Sequence, residues 1–257
     1  MGQPQEQSRV ASLVSRLVSA CIALALVAAV FYFSFHQLAY KWNWQAVGKY
    51  RETLFKGWLM TLKISEASLV LSTIIGVTFA LVRRSRVLPL RYFGQIYVEL
   101  VRGTPLLVQI LIFFYVVADA FHIQDRYWAG TLILSFFSGA YISEIVRAGI
   151  ESVSQSQLES ARAIGLTNVQ TYRFVIFPQA IRVILPSLVG QFVSLIKDSS
   201  LLSIIAVNEF TQAARDVNSA TYSTLEAYLP LAAGYLILTL PISIWTRRLE
   251  RKMRFET

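Results

Sequence analysis

Apolar runs long enough to cross a bilayer recur along this chain of 257 residues. A helix that spans the hydrocarbon core needs about 20 apolar residues. Stretches at about 12–34, 57–82, 94–118, 129–148, 183–207 and 227–246 come close to or exceed that length. Inside a bilayer every backbone N–H and C=O must find its partner within the protein, so such runs fold as helices. Composition agrees: 55% of the residues are hydrophobic and 15% charged, against about 45–50% and about 25% in soluble domains. The sequence predicts an all-α polytopic membrane protein with about six transmembrane helices.

The first run opens like a secretory signal, with Arg9 and Arg16 ahead of it and Ala-Leu-Ala at 23–25 resembling a cleavage site. Apolar residues continue to Phe35, beyond a signal core of about 7–15 residues, so an uncleaved anchor is expected. A formal charge of +9 raises the question of nucleic acid. The basic residues sit at the ends of apolar runs, however, which is a matter of membrane topology and not of nucleic acid. Cys21 is the single cysteine, so no internal disulfide is expected. His36 and His122 lie far apart at run ends, and no metal site is read from them.

Orientation follows from Lys and Arg in short loops. With the N-terminus in the cytoplasm, the inner set contains Arg9, Arg16, the basic stretch 83–91, Arg147, Arg162, Arg173, Arg182 and the tail 247–254. The outer set is Lys41, Lys49, Arg51, Lys56, Arg126 and Arg215, fewer than half as many. Both termini are therefore expected in the cytoplasm. The segment 41–58 falls outside, and Trp42, Trp44 and Trp58 suit a helix lying along that surface. Residues 1–56 read as an anchor helix with an outer interfacial segment. Residues 57–257 read as a membrane domain carrying a polar cytoplasmic loop at 150–180.

That loop has helix signals of its own. Ser156 and Glu159 have the spacing of a capping box, and Thr167 and Gln170 repeat it. Gly165 stands where a helix needs a left-handed stop. The pattern predicts a short helix at about 157–164, a glycine turn, and a second helix ending before or at Pro178. The first helix, about 12 Å long, is too short and too polar to span anything. Ala161, Ala163 and Gly165 keep its surface small, and Leu158 and Ile164 add apolar contacts. Such a piece suits a knob for a partner's socket, or an ordinary interfacial loop.

The stretch Glu-Ser-Ala-Arg-Ala-Ile-Gly at 159–165, followed by Val175 and Pro178, resembles the cytoplasmic "EAA" loop of importer permeases driven by ATP-binding cassettes. Ser160 stands for an alanine and Phe177 for a leucine, changes that keep size class or apolar character. The stretches 98–115 and 190–211 are similar to the polar amino acid branch of these permeases, and the resemblance covers about 57–254. That branch has five core spans, so the run at 12–34 looks like an added helix.

The resemblance implies a mechanism. The loop around Ser156, Leu158, Glu159, Ala161, Ala163, Ile164 and Gly165 acts as the coupling helix in a groove of an ATPase subunit. Two permease subunits, identical or related, form the pathway, and a periplasmic binding protein delivers the amino acid. ATP and Mg are bound by the partner ATPase dimer. This chain has no phosphate-binding glycine loop, so it binds no cofactor itself and is not an enzyme. Its place is the bacterial inner membrane, as a multi-pass protein.

Charges inside spans usually face a cavity or a partner. Lys63 and Glu66 lie in the second span, and Lys197 and Asp198 in the fifth. By helix rise, Glu66 is about 13 Å in from one end and Asp198 about 24 Å up from the other, so the pairs share a layer. Two cations and two anions suit a zwitterionic amino acid, or two interhelical salt bridges. The resemblance favours the pathway, with Ser199 beside it, where irregular backbone at depth lines a cavity. Arg102, Gly103, Thr104 and Pro105 predict a bend at the start of the third span, serving as a hinge or gate, or as plain structure with a Glu99–Arg102 pair. Glu144 and Arg147 read as an interfacial pair. An ion-gradient-driven secondary transporter, with Glu66 and Asp198 as proton or Na⁺ sites, is the alternative.

Overall fold

The computed structural model describes residues 3–37 and 40–253. Among them there are helices and no strands. The chain divides into two compact units, one ending at Trp42 and one beginning at Asn43. The first is α1 (Gln3–His36), in which Val18–His36 is long and apolar enough to cross a membrane.

The second unit opens with α2 (Trp44–Gly48), capped by the Asn43 side chain. The outer helix expected over 41–58 is thus only one turn and a half. From Arg51 the chain is already in α3 (Arg51–Val82), 32 residues long. Residues 43–56 belong with this unit, whereas the sequence grouped them with the N-terminal anchor. The reason is packing: Val47 joins Val217 and Ala227 in a small core, with Tyr50 and Leu54 against it. The Asn43 backbone N–H also donates to the buried Glu226 carboxylate.

The expected third span is broken. It comprises α4 (Leu88–Gly103) and α5 (Leu106–Ile112), which continues as a π-helical turn over Phe113–Ala118. The span bends by 112° between the two halves. Thr104 and Pro105 are both extended, Pro105 serving as the N-cap of α5. Gln109 closes the gap by donating through Nε2 to the carbonyls of Val101 (2.7 Å) and Thr104 (3.0 Å).

α6 (Arg126–Glu151) starts from the Asp125 cap and packs along α3. The facing side chains are small. Thr61, Ser65, Ser68, Ser72, Gly76 and Ala80 make up most of the buried stripe of α3, with Ile64 among them, and Ser135, Ser138, Gly139 and Ser143 lie on α6. Small residues let helix backbones approach closely where no hydrophobic force draws helices together.

After the polar loop, α8 (Asn168–Thr171), a π-helical turn (Tyr172–Ile176), α9 (Phe177–Asp198) and a 3₁₀ turn (Ser199–Ile205) follow as one span. The helix expected to stop at Pro178 therefore runs on. The Phe177 N–H reaches back to the Tyr172 carbonyl, the i→i+5 bond of a π-turn. This register change accommodates a proline that has no N–H of its own to give.

The 3₁₀ turn ends at Ala206 in left-handed conformation. α10 (Phe210–Thr221) then lies between α3 and α11 (Thr224–Met253). It sits close: a Cβ on Gly57 would come within 2.7 Å of Ala213, and one on Gly234 within 2.4 Å of the Phe210 ring. Two apolar clusters fill the unit. One gathers Ile64, Ile110, Leu134, Leu195 and Leu202. The other gathers Ala80, Ile142, Val146, Val153, Ile176 and Ile184.

Candidate coupling surface and intramembrane charges

The polar loop folds as α7 (Gln155–Ala163) followed by α8. Its first cap is not the expected one. Ser154 holds the N-cap position with no side-chain cap bond, and Ser156 lies one residue inside the helix. The C-terminal stop is as read: Gly165 has φ +80°. The Leu166 N–H bonds the Ala161 carbonyl at 3.0 Å and the Gly165 N–H bonds the Arg162 carbonyl at 3.0 Å. Those two bonds are the Schellman pairing that satisfies orphan carbonyls at a helix end. The second capping box is complete, with Thr167 N–H to Gln170 Oε1 at 2.8 Å and Gln170 N–H to Thr167 Oγ1 at 3.3 Å.

Burial divides α7 into two faces. Ala161 is 3% exposed and turns into its own chain. Leu158 packs against the cluster of Val153, Ile176 and Ala180. Gln157 bonds Gln179 on α9. These two apolar residues, expected to face a partner, instead strap the loop to the membrane domain. Ser156, Glu159, Ala163, Ile164 and Gly165 are exposed. Ile164 and Val169, at 76% and 77%, are apolar side chains standing free at the turn. Val169 was missed by the sequence reading, since it lies outside the family's spacing.

An ionic cluster sits at the same end. Glu144 accepts from Arg83 at 2.8 Å, is bonded by Arg147, and has Arg102 4.0 Å away. Arg147 also pairs with Glu151. The Glu144–Arg147 pair is as expected. Arg102, expected to pair with Glu99, turns instead to Glu144 and lies over the Tyr141 ring, 5.6 Å from its centroid. α4 packs against α6, which brings Arg102 within reach of Glu144.

The four intramembrane charges do not meet. Lys63 and Glu66 are exposed, on the face of α3 opposite Thr61, Ile64, Ser65 and Ser68. Lys197 is exposed and Asp198 half-buried. Among the described residues no ion pair joins any of the four, so the salt-bridge reading is not realised within this chain. Their helices do share a level, since Ile64 and Leu195 belong to one cluster. Ser199 is fully buried, its hydroxyl donating to the Ile196 carbonyl at 2.8 Å, so it opens onto no cavity. It marks the change from α to 3₁₀ geometry.

Sequence reasoning also missed Glu209. This carboxylate is fully buried. It caps α10, accepting from the N–H groups of Thr211 (2.9 Å) and Gln212 (2.8 Å). The hydroxyls of Tyr235 (3.1 Å) and Thr61 (3.4 Å) complete its shell. Burial pushes its carboxyl up, and the Thr211 and Gln212 bonds pull it back down. Glutamate is an uncommon N-cap, so nothing in the local pattern singled it out.

Residues 72–255 match the family described as binding-protein-dependent transport system inner membrane component. The chain belongs to that family. It is therefore a multi-pass permease component of the bacterial inner membrane, as the loop motif implied, and the ion-gradient alternative is not favoured. The chain is similar to the probable glutamine ABC transporter permease of Bacillus subtilis strain 168, at 38% identity over 77% of this chain and 91% of that protein. It is 33% identical to the glutamine transport system permease of Escherichia coli K12, over 83% and 99%. Among solved structures, one described as an amino acid ABC transporter with histidines superimposes with a TM-score of 0.78 at 34% identity, covering 83% of this chain and all of that one. The inward-facing MetNI methionine ABC transporter gives 0.64 at 17% identity over 80% and 98%, a likeness of fold.

Proposed function

We propose that this permease carries a polar amino acid across the inner membrane, driven by an ABC ATPase dimer that grips the α7 turn. The observation that carries the reading is the doubly capped hairpin at Gly165, with Ile164 and Val169 exposed and Leu158 and Ala161 anchored inward. A lever needs this construction: one face fixed to the moving spans, the other free for a partner. Glu159 and Ala163 complete the free face. ATP and Mg belong to the ATPase, and a periplasmic binding protein brings the substrate. A second permease subunit, a copy or a relative, closes the pathway. Both termini and the α7 loop face the cytoplasm, in keeping with the bias of arginines towards that end.

The substrate class rests on the relatives, whose names are for glutamine, and on the charges of α3 and α9. Lys63, Glu66, Lys197 and Asp198 line the pathway in this reading, because unpaired charges at depth need a cavity or a partner. Arg102, Gly103, Thr104 and Pro105 form the hinge between α4 and α5.

Gly165 gives the test. A Cβ there meets nothing within 4 Å, so only the left-handed backbone resists substitution. Gly165→Ala strains the turn by about 1–2 kcal/mol. Insertion in the membrane is expected to stay intact, while binding-protein-stimulated ATP hydrolysis in reconstituted vesicles falls. Full stimulation by both Gly165→Ala and Ile164→Asp variants would show that the hairpin transmits nothing.

A further inference from the structure

The turn between α3 and α4 opens on a cleft of about 750 Å³ whose walls include Arg83, Arg84, Arg91, Glu99, Glu144 and Arg147. The charges divide unequally. Glu144 is held by Arg83 and Arg147, and Arg147 is shared with Glu151. That leaves Arg84 and Arg91 without a carboxylate partner among the described residues, and of the carboxylates lining the cleft, Glu99, Glu144 and Glu151, only Glu99 has no ion pair. Arg84 lies over the Tyr172 ring, 6.0 Å from its centroid. Gln95, between Arg91 and Glu99 on α4, adds an amide to the same wall.

Apolar surface adjoins the cleft. Leu88, Tyr92, Phe93 and Ile96 are 59%, 59%, 62% and 56% exposed along α4. The buried face of that helix, with Gly94, Val98 and Val101, turns to the core. Arg91 near the start of α4, with Arg83 and Arg84 on the turn before it, thus adjoins an outward apolar stripe, the build of a helix seated at a bilayer interface.

We propose that this cleft binds the phosphate of an anionic phospholipid, with Arg84 and Arg91 on the headgroup and the α4 stripe along the acyl chains. A phosphate-bearing anion fits guanidinium pairs by bidentate hydrogen bonds. Free phosphate has the same headgroup chemistry but no use for the apolar stripe. Basic pockets between spans at the cytoplasmic end are where lipid headgroups are recognised. Tyr172 begins the segment returning from the α7 hairpin, so the lipid would brace the α3–α4 turn against the coupling element.

Native mass spectrometry of the full chain in a nonionic detergent tests this with two probes, dioleoylphosphatidylglycerol and dioleoylphosphatidylcholine. The wild type is expected to retain phosphatidylglycerol at a lipid concentration roughly tenfold lower than phosphatidylcholine. The Arg84→Gln/Arg91→Gln double variant loses that preference, and Arg84→Lys/Arg91→Lys, which keeps the charge without the bidentate fork, retains only part of it. Lys49→Gln/Lys56→Gln removes equal charge at the far end of α3 and keeps the preference. Equal retention of both lipids by the wild type overturns the proposal, as does equal loss in both glutamine variants. So does displacement of the bound lipid by millimolar inorganic phosphate, which would mark a site for the free anion.

Discussion

Glu209 illustrates what a single residue does in this membrane domain. A buried carboxylate is tolerated only if its hydrogen bonds are met, and here four donors from three helices converge on it. It therefore ties α10 to α3 through Thr61 and to α11 through Tyr235. Glu209→Ala removes a cap and takes the acceptor from the buried Thr61 hydroxyl, while Tyr235 keeps Thr211 Oγ1 as a partner, a combined loss of about 2–4 kcal/mol. Glu209→Gln keeps one acceptor oxygen and is expected to lose less. Thermal unfolding of the detergent-solubilised chain, followed by tryptophan fluorescence, should rank wild type above Gln above Ala. Equal midpoints for wild type and Glu209→Ala would mean the carboxylate holds nothing. At this scale Gly165 was legible and Glu209 was not. A left-handed stop is a local property of the chain, whereas the partners of Glu209 lie 148 and 26 residues away.

Between elements, shape governs. The α3–α6 seam depends on backbones close enough that a Cβ on Gly76 would come within 2.5 Å of Ile142 and 2.9 Å of the Gly139 carbonyl. One of these neighbours is backbone and cannot rotate away. Gly76→Ala is expected to cost about 1–3 kcal/mol through overpacking. Gly190→Ala, with nothing within 4 Å, should be neutral or stabilising, since alanine favours helix by about 1 kcal/mol. Melting both variants side by side checks the contrast, and a matching loss at the two positions would remove the seam from the account. The bend at Gly103–Pro105 was legible because proline and glycine act locally. The Gln109 side chain that closes it was not, because an amide in an apolar run gives no sign of which carbonyl it will meet. Pro178 was misread for the converse reason: a π-turn supplied by its context accommodates the missing N–H.

For the whole molecule, hydropathy located every apolar run, because the bilayer imposes a length on each, but it placed the start of the fifth span at about 183, whereas the helical run begins at Asn168. It did not locate the start of the compact unit, which begins at Asn43 and includes α2 through contacts with α10 and α11. The relative in Escherichia coli is aligned over 99% of its length by 83% of this chain, and the family match begins at residue 72. The unit from Asn43 onward also contains both large apolar clusters. The core is therefore expected to fold without α1. Its removal poses a topological question, since one span fewer must either invert the core or move the new N-terminus to the opposite face. Lys and Arg counts decide between the two. The clusters at 83–91 and 247–254 remain in the shortened chain, while Arg9 and Arg16 leave the inner set and Lys41 leaves the outer one. The core should therefore keep its orientation and the new N-terminus should emerge outside. Green fluorescent protein fused after Thr257 fluoresces only in the cytoplasm, so the full chain and the chain starting at Asn43 should be equally bright. Loss of fluorescence in the shorter chain, with alkaline phosphatase active at the same fusion point, would show that α1 sets the orientation and that the inner arginines do not.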